Sequence, residues 1–129
     1  MILDSSAVVA ILRAEAEARA MAEAMTRAGA CALSAVSYLE AAIVIDSGRD
    51  PIASRRFDDF FRESGIVVEP VTFRQAKIAR DAYRDFGKGQ HRAGLNFGDC
   101  FAYALAKEKG ETLLFKGDDF CHTDIEPAG

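Results

Sequence analysis

The chain has 129 residues, 50% of them hydrophobic and 28% charged, which predicts one globular domain over residues 1–129 and excludes a disordered or fibrous protein. Its formal net charge of −4 disfavours binding of nucleic acid, unless several of the acids serve as metal ligands. No apolar run is long enough to span a bilayer, no secretory signal is visible, and the three cysteines lack paired spacing, so we expect a cytoplasmic protein without membrane contacts, disulfides or zinc.

The first half of the chain alternates short apolar runs with helical patterns. The apolar residues 1–3 predict a strand that ends at Asp4, and Ser5 or Ser6 is expected to cap the helix that follows. In chain order we predict a strand at 1–3, helices at 5–13 and 15–27, a strand at 30–33, and helices at 34–46 and 51–63. The helix at 34–46 is apolar nearly all round, which predicts burial on most of its sides.

The second half repeats the alternation around a glycine-rich, cationic loop. We predict a strand at 66–70, a helix at 73–86, the loop at 87–95, a helix at 97–109, a strand at 111–115, a turn at 116–120 and a short strand at 125–126. Ile52, Phe73 and Phe97 are assigned to the inward faces of their helices. Strands that alternate with helices predict an α/β fold, with a mainly parallel sheet of four to five strands covered by helices on both faces.

Five acidic residues are expected at one edge of this sheet. Asp4 follows the first strand, Asp118 and Asp119 follow the fourth, and Glu40 and Asp99 lie on helices that begin at the same edge, where the carboxyl ends of parallel strands meet. Two carboxylates at ~4 Å repel by roughly 4 kcal/mol at an effective dielectric near 20. A hard cation such as Mg²⁺ or Mn²⁺ removes that cost, and it suits metal-assisted cleavage of phosphodiesters.

Most of these acids also have a purely structural interpretation. Asp4 can be a helix cap, and Asp99 stands three residues after Asn96, as in a capping box. Asp118 and Asp119 follow a glycine and can belong to an exposed turn. Glu40 is harder to explain in this way, because an unpaired charge in an apolar helix is costly to bury.

Four segments in this order resemble the PIN-domain nucleases, most closely the VapC-type toxins of bacterial toxin–antitoxin pairs. They are Ile-Leu-Asp-Ser-Ser at Asp4, Leu-Ser-Ala-Val-Ser-Tyr-Leu-Glu-Ala at Glu40, Leu-Asn-Phe-Gly-Asp-Cys-Phe-Ala-Tyr-Ala at Asp99, and Leu-Leu-Phe-Lys-Gly-Asp-Asp-Phe at Asp118 and Asp119. The resemblance covers essentially the whole chain. It implies a three-layer α/β/α PIN-like fold and a Mg²⁺-dependent endoribonuclease, with Mn²⁺ as a possible substitute. It also implies a homodimer, neutralised by a VapB-type antitoxin in a larger complex on operator DNA.

The resemblance also implies roles for individual residues. Asp4 and Asp99 would be the principal metal ligands, Glu40 would contribute to the metal site, and either Asp118 or Asp119 would be the fourth acid. The hydroxyl residues Ser6 and Ser34 match positions that support the site. Independently, the positive charge of the loop and of the helix before it suggests that the RNA backbone binds there, although a solvated surface explains the same pattern. The candidate RNA-binding residues are Lys88, His91 and Arg92.

Two other functions compete with the nuclease. A phosphoacceptor signalling module is also a small α/β domain, but it needs an acidic pair after the first strand, where this chain has Asp4 followed by Ser5 and Ser6. A catalytically silent PIN-like scaffold would work only by binding its partner. The complete set of acids favours the enzyme over the scaffold.

Overall fold

The computed structural model describes residues 1–128, and a parallel sheet of four short strands forms its centre. The strands are β1 (Ile2–Leu3), β2 (Ala32–Ser34), β3 (Val67–Glu69) and β4 (Leu113–Leu114). They are ordered β3-β2-β1-β4, with Ile2 of the central strand opposite both Ala32 and Leu113. Since all the pairings are parallel, the carboxyl ends of the strands lie at one edge, and the predicted α/β class is confirmed.

Helices cover both faces of the sheet. They are α1 (Ser5–Leu12), α2 (Ala18–Ala28), α3 (Ala35–Ser47), α4 (Pro51–Ser64), α5 (Phe73–Phe86) and α6 (Phe97–Lys109), followed by a 3₁₀ turn at Asp119–His122. Adjacent residues of β1 enter separate cores, because successive strand side chains point to opposite faces. Ile2 packs in the core beneath α5 and α6, whereas Leu3 packs in the core formed by α1 to α4. The fold therefore has the three expected layers.

The predicted fifth strand at 125–126 is wrong. Within residues 1–128, this segment contributes only an isolated parallel bridge between Leu113 and Pro127. Ile125 is nevertheless buried, so its apolar character reflects packing against the α5–α6 core rather than strand pairing. In the same part of the chain, no helix combines the length and apolar character that a bilayer span requires.

Three large apolar residues assigned to helix interiors are exposed instead. Ile52, Phe73 and Phe97 have 65%, 79% and 74% of their surface accessible to solvent. Each lies at the first or second position of its helix, ahead of the first buried residue of that helix. Helical spacing assigns a residue to a face but does not tell whether the neighbouring layer extends far enough to cover it.

The burial expected around α3 is likewise only partial. Ser37, Ala41 and Ile45 form the one buried stripe of this helix. Leu39 and Ile43 are more than half exposed, and Val44 is partly exposed. An apolar surface therefore continues along α3 beside Glu40.

Candidate active site

Asp4 stands where β1 gives way to α1, and it is the N-cap of that helix. One carboxylate oxygen, Oδ2, accepts hydrogen bonds from the Ser6 amide at 3.0 Å and from the Ser6 hydroxyl at 2.6 Å. The expectation that Ser5 or Ser6 caps this helix is therefore wrong. Asp4 is only 3% exposed, and its other oxygen, Oδ1, has no hydrogen-bond partner within residues 1–128. A buried carboxylate oxygen without a partner is costly unless a cation or a proton joins it.

Ser6 links Asp4 to the other side of the site. Its hydroxyl donates to Asp4 and accepts a hydrogen bond from the Lys116 amide at 3.0 Å. Lys116 follows β4 and precedes the acidic pair at 118–119. One hydroxyl thus connects the end of β1 with the segment that carries Asp118 and Asp119.

Glu40 lies on α3, which Ser34 caps by accepting a hydrogen bond from the Val36 amide at 3.2 Å. The Glu40 side chain is half-buried and receives a long hydrogen bond of 3.4 Å from the Ser5 hydroxyl. Burial, followed by the charges of Asp4 and Asp99, raises the pKa of Glu40 to about 7. Glu40 therefore lies close enough to both aspartates to interact with their charge.

Asp99 is in the first turn of α6, where it forms a reciprocal capping box with Asn96. Its Oδ2 accepts from the Asn96 amide at 3.0 Å, and its own amide donates to the Asn96 side chain at 2.8 Å. The other carboxylate oxygen of Asp99, Oδ1, takes no part in the capping box. Burial raises the pKa of Asp99 to about 6, and the charges of Asp4 and Asp119 add to that rise against the opposing Asn96 hydrogen bond.

The two acids after β4 differ in their relation to this cluster. Burial raises the pKa of Asp4, the hydrogen bonds from Ser6 oppose the rise, and the charge of Asp119 adds to it. Asp119 also acts on Asp99, whereas Asp118 is not among the charges that shift either residue. Asp119 begins the 3₁₀ turn and Asp118 precedes it, and both residues are exposed.

The donor set fits a hard divalent cation. Carboxylates are the ligands that Mg²⁺ and Mn²⁺ prefer, and the unpartnered Oδ1 of Asp4 provides a buried oxygen among them. Within residues 1–128, no three His, Cys, Asp or Glu side chains are already close enough to enclose a metal ion. That open spacing suits Mg²⁺, which keeps several waters and takes one or two carboxylates.

The candidate RNA-binding residues have different surroundings. Lys88 borders an apolar groove of about 680 Å³ between α5 and α6, whose other cations are Arg80 and Arg84. Arg92 is exposed. His91 instead packs its ring on Phe86 at 5.2 Å and accepts a hydrogen bond from the Ala93 amide at 3.0 Å, contacts that shape the loop itself.

Sequence reasoning assigned no role to Gly98. This residue is buried at the second position of α6, and the Glu40 carboxylate occupies the space where a β-carbon at position 98 would stand. The sequence indicates such a role only by placing a glycine inside the first turn of a predicted helix, where the backbone does not need one. Ser5 was likewise considered only as a cap, although its hydroxyl contacts Glu40.

A family model described as PIN domain matches residues 1–126. The chain belongs to the PIN-domain family. It is 57% identical over 129 residues to Ribonuclease VapC28 of Mycobacterium tuberculosis, a match covering 99% of this chain and 97% of that protein. The resemblance to VapC-type ribonucleases is therefore confirmed.

Solved structures confirm the PIN-like fold. The crystal structure of Mycobacterium tuberculosis VapC20 matches with a TM-score of 0.74 at 17% identity, over 96% of this chain and 95% of that one. A toxin–antitoxin complex from Klebsiella pneumoniae matches with a TM-score of 0.70 at 14% identity, over 95% and 92% of the respective chains. At these identities the likeness concerns the fold alone.

Proposed function

We propose that this PIN-domain chain is a Mg²⁺-dependent endoribonuclease toxin that acts in the cytoplasm as a single domain. The observation that carries the proposal is the buried Asp4 carboxylate: one of its oxygens has no hydrogen-bond partner within residues 1–128, and its charge adds to the rise that burial causes in the pKa of Glu40 and of Asp99. The similarity to a protein named Ribonuclease VapC28 supports the same activity.

Asp4 and Asp99 would hold the cation, Glu40 would complete its surroundings, and Asp119 rather than Asp118 would be the fourth acid. A bound Mg²⁺ supplies charge neutralisation and Lewis-acid polarisation of the scissile phosphate. Glu40 would orient the attacking water and accept its proton, a role open to a half-buried carboxylate that is held between the Ser5 hydroxyl and Gly98. Ser6 and Ser34 keep Asp4 and α3 in place through their hydrogen bonds.

The test is cleavage of single-stranded RNA by the purified protein. Cleavage should require added Mg²⁺ or Mn²⁺, stop in EDTA, resume when Mg²⁺ is restored, and leave a 3′-hydroxyl and a 5′-phosphate. Cleavage that persists in EDTA would contradict the cation-dependent site. RNA or partner binding without any cleavage would instead favour the silent scaffold.

RNA would approach over the loop and the groove between α5 and α6. Lys88 and Arg92 provide charge for phosphates, and the exposed ring of Phe97 lies two residues from Asp99, where an unpaired base can stack. His91 would act indirectly, by holding the loop against Phe86.

Replacing Lys88 and Arg92 together by Ala should weaken RNA binding about tenfold. It should also reduce the slope of log K against log salt by about 1.4, since each phosphate contact on a single strand contributes about 0.7. Filter binding at several salt concentrations measures both quantities. The double variant Arg27→Ala with Lys109→Ala is the matched control, because it removes two exposed charges at the ends of α2 and α6. Equal slopes for the two double variants would place the RNA elsewhere.

A VapB-type antitoxin and a second copy of the chain are the proposed protein partners, with the larger complex bound to operator DNA. The exposed apolar residues Leu39 and Ile43 on α3 support a protein contact beside the acids. The likeness in fold to a chain of a toxin–antitoxin complex is consistent with it. Light scattering of the chain, alone and with the product of a neighbouring reading frame, would test both partners.

A further inference from the structure

Gly98 is a glycine that the backbone does not require. It belongs to α6, and its φ angle is not in the positive region where glycines are favoured. In such a position alanine is the better helix former, so a glycine lowers helix stability without a conformational benefit. The explanation must therefore lie in the space around the residue.

That space is filled by the Glu40 carboxylate. The three atoms nearest to a β-carbon built on Gly98 are Oε2, Cδ and Oε1 of Glu40, and all three would overlap with it. If Gly98 only allowed α3 and α6 to approach, the nearest atoms would belong to the backbone or to apolar side chains of α3. The contact is instead made by the carboxylate itself.

Little else holds Glu40 in this place. Its hydrogen bond from the Ser5 hydroxyl is long, at 3.4 Å, and the helix around it is largely apolar. Without the space at Gly98 the side chain would have to turn away from α6, and Asp99 is the next residue on that helix. The position of the Glu40 carboxylate beside Asp99 therefore depends on residue 98 lacking a side chain.

We infer that Gly98 is a positioning residue, whose missing side chain creates the seat in which Glu40 lies beside Asp4 and Asp99 at the cation site. We call this contact the Gly98 seat. The inference rests on the proposed function where it assigns Glu40 to the cation site. The seat itself is a steric contact, and it can be tested without any cation.

The first experiment measures Mn²⁺ binding by calorimetry. Gly98→Ala should lower Mn²⁺ affinity about tenfold or more, the size of effect seen when residues that orient metal ligands are replaced. Combining Gly98→Ala with Glu40→Asp should restore part of the affinity relative to Gly98→Ala alone, because the shorter acid leaves room for the added methyl group. Gly48→Ala is the matched control, since Gly48 has a φ of −72° and its nearest neighbour would be the Ile45 carbonyl oxygen at 3.4 Å. Unchanged affinity in Gly98→Ala would overturn the inference.

The second experiment measures urea unfolding in EDTA. Gly98→Ala should shift the midpoint to higher urea in a Glu40→Ala background, where alanine only strengthens the helix. In the wild-type background the shift should be smaller or reversed, because Glu40 is displaced. Equal shifts in the two backgrounds would show that the seat does not exist. If the wild-type protein bound no Mn²⁺, the proposed function would be wrong. The comparison of urea midpoints in the two backgrounds would still test whether Glu40 occupies the space at Gly98.

Discussion

Replacing Asp4 by Asn should reduce RNA cleavage about 10³-fold or more while the protein remains folded. The variant removes the charge of the most deeply buried acid in the cluster, and about 4 kcal/mol of lost transition-state stabilisation corresponds to that factor. The fold should survive, because the amide oxygen of Asn can still accept the hydrogen bond from the Ser6 amide. Burial already raises the pKa of Asp4, so a neutral side chain is tolerated there. Single-turnover cleavage and circular dichroism measure the two effects.

The matched control is Asp118→Asn. It removes one negative charge from the same region, but Asp118 does not contribute to the shifted pKa of Asp4 or Asp99. Millimolar Mg²⁺ should raise the melting temperature of wild type and of Asp118→Asn, and it should leave Asp4→Asn nearly unchanged, since only a protein that binds the ion gains stability from it. Cleavage by Asp4→Asn within tenfold of wild type would remove Asp4 from the site.

From the sequence, helix capping and metal binding are alternative roles for Asp4 and Asp99. The geometry of the two side chains is compatible with both roles at once. Each carboxylate uses one oxygen for a helix cap, and the other oxygen of Asp4 has no hydrogen-bond partner within residues 1–128. The cap fixes the side chain, and a fixed carboxylate loses little entropy when it binds an ion. The capping pattern was visible in the sequence. The free oxygen was not, because it depends on which groups the rest of the chain brings nearby.

The fold was predictable because its signals are local. Alternating strand and helix patterns were enough to predict the parallel sheet and to put Asp4 at the end of β1. Contacts between distant segments were not predictable. Glu40 on α3 occupies the position that a side chain on residue 98 of α6 would take. Nothing in the sequence next to either residue indicates this contact.

The choice between Asp118 and Asp119 shows a similar limit. Both residues follow a glycine in a turn, and the sequence gives each the same chance to point inward. In the structure both aspartates are exposed, a 3₁₀ turn begins at Asp119, and Phe120, next in the chain, is buried in the α5–α6 core. The buried ring anchors the turn, a contact with distant segments that the sequence of the turn does not reveal.

Replacing Ser6 by Ala should lower the free energy of unfolding by about 1–3 kcal/mol and reduce cleavage by about 10- to 100-fold. The Ser6 hydroxyl donates a hydrogen bond of 2.6 Å to Asp4 and accepts one of 3.0 Å from the Lys116 amide. Its removal leaves the Asp4 carboxylate and the Lys116 amide without this partner. Asp119 lies three residues after Lys116, and loosening that segment should displace the fourth acid. Urea unfolding and cleavage kinetics measure the two effects.

The neighbouring serine provides the control for that change. Ser5→Ala removes only the 3.4 Å contact with Glu40, so its effect on stability should stay below about 0.5 kcal/mol. Ser6→Thr keeps a hydroxyl at the junction and should recover most of the activity that Ser6→Ala loses. If Ser6→Ala and Ser5→Ala behaved alike, the connection from β1 to the segment after β4 would not hold Asp119 in place, and the fourth acid would be positioned by the burial of Phe120 alone.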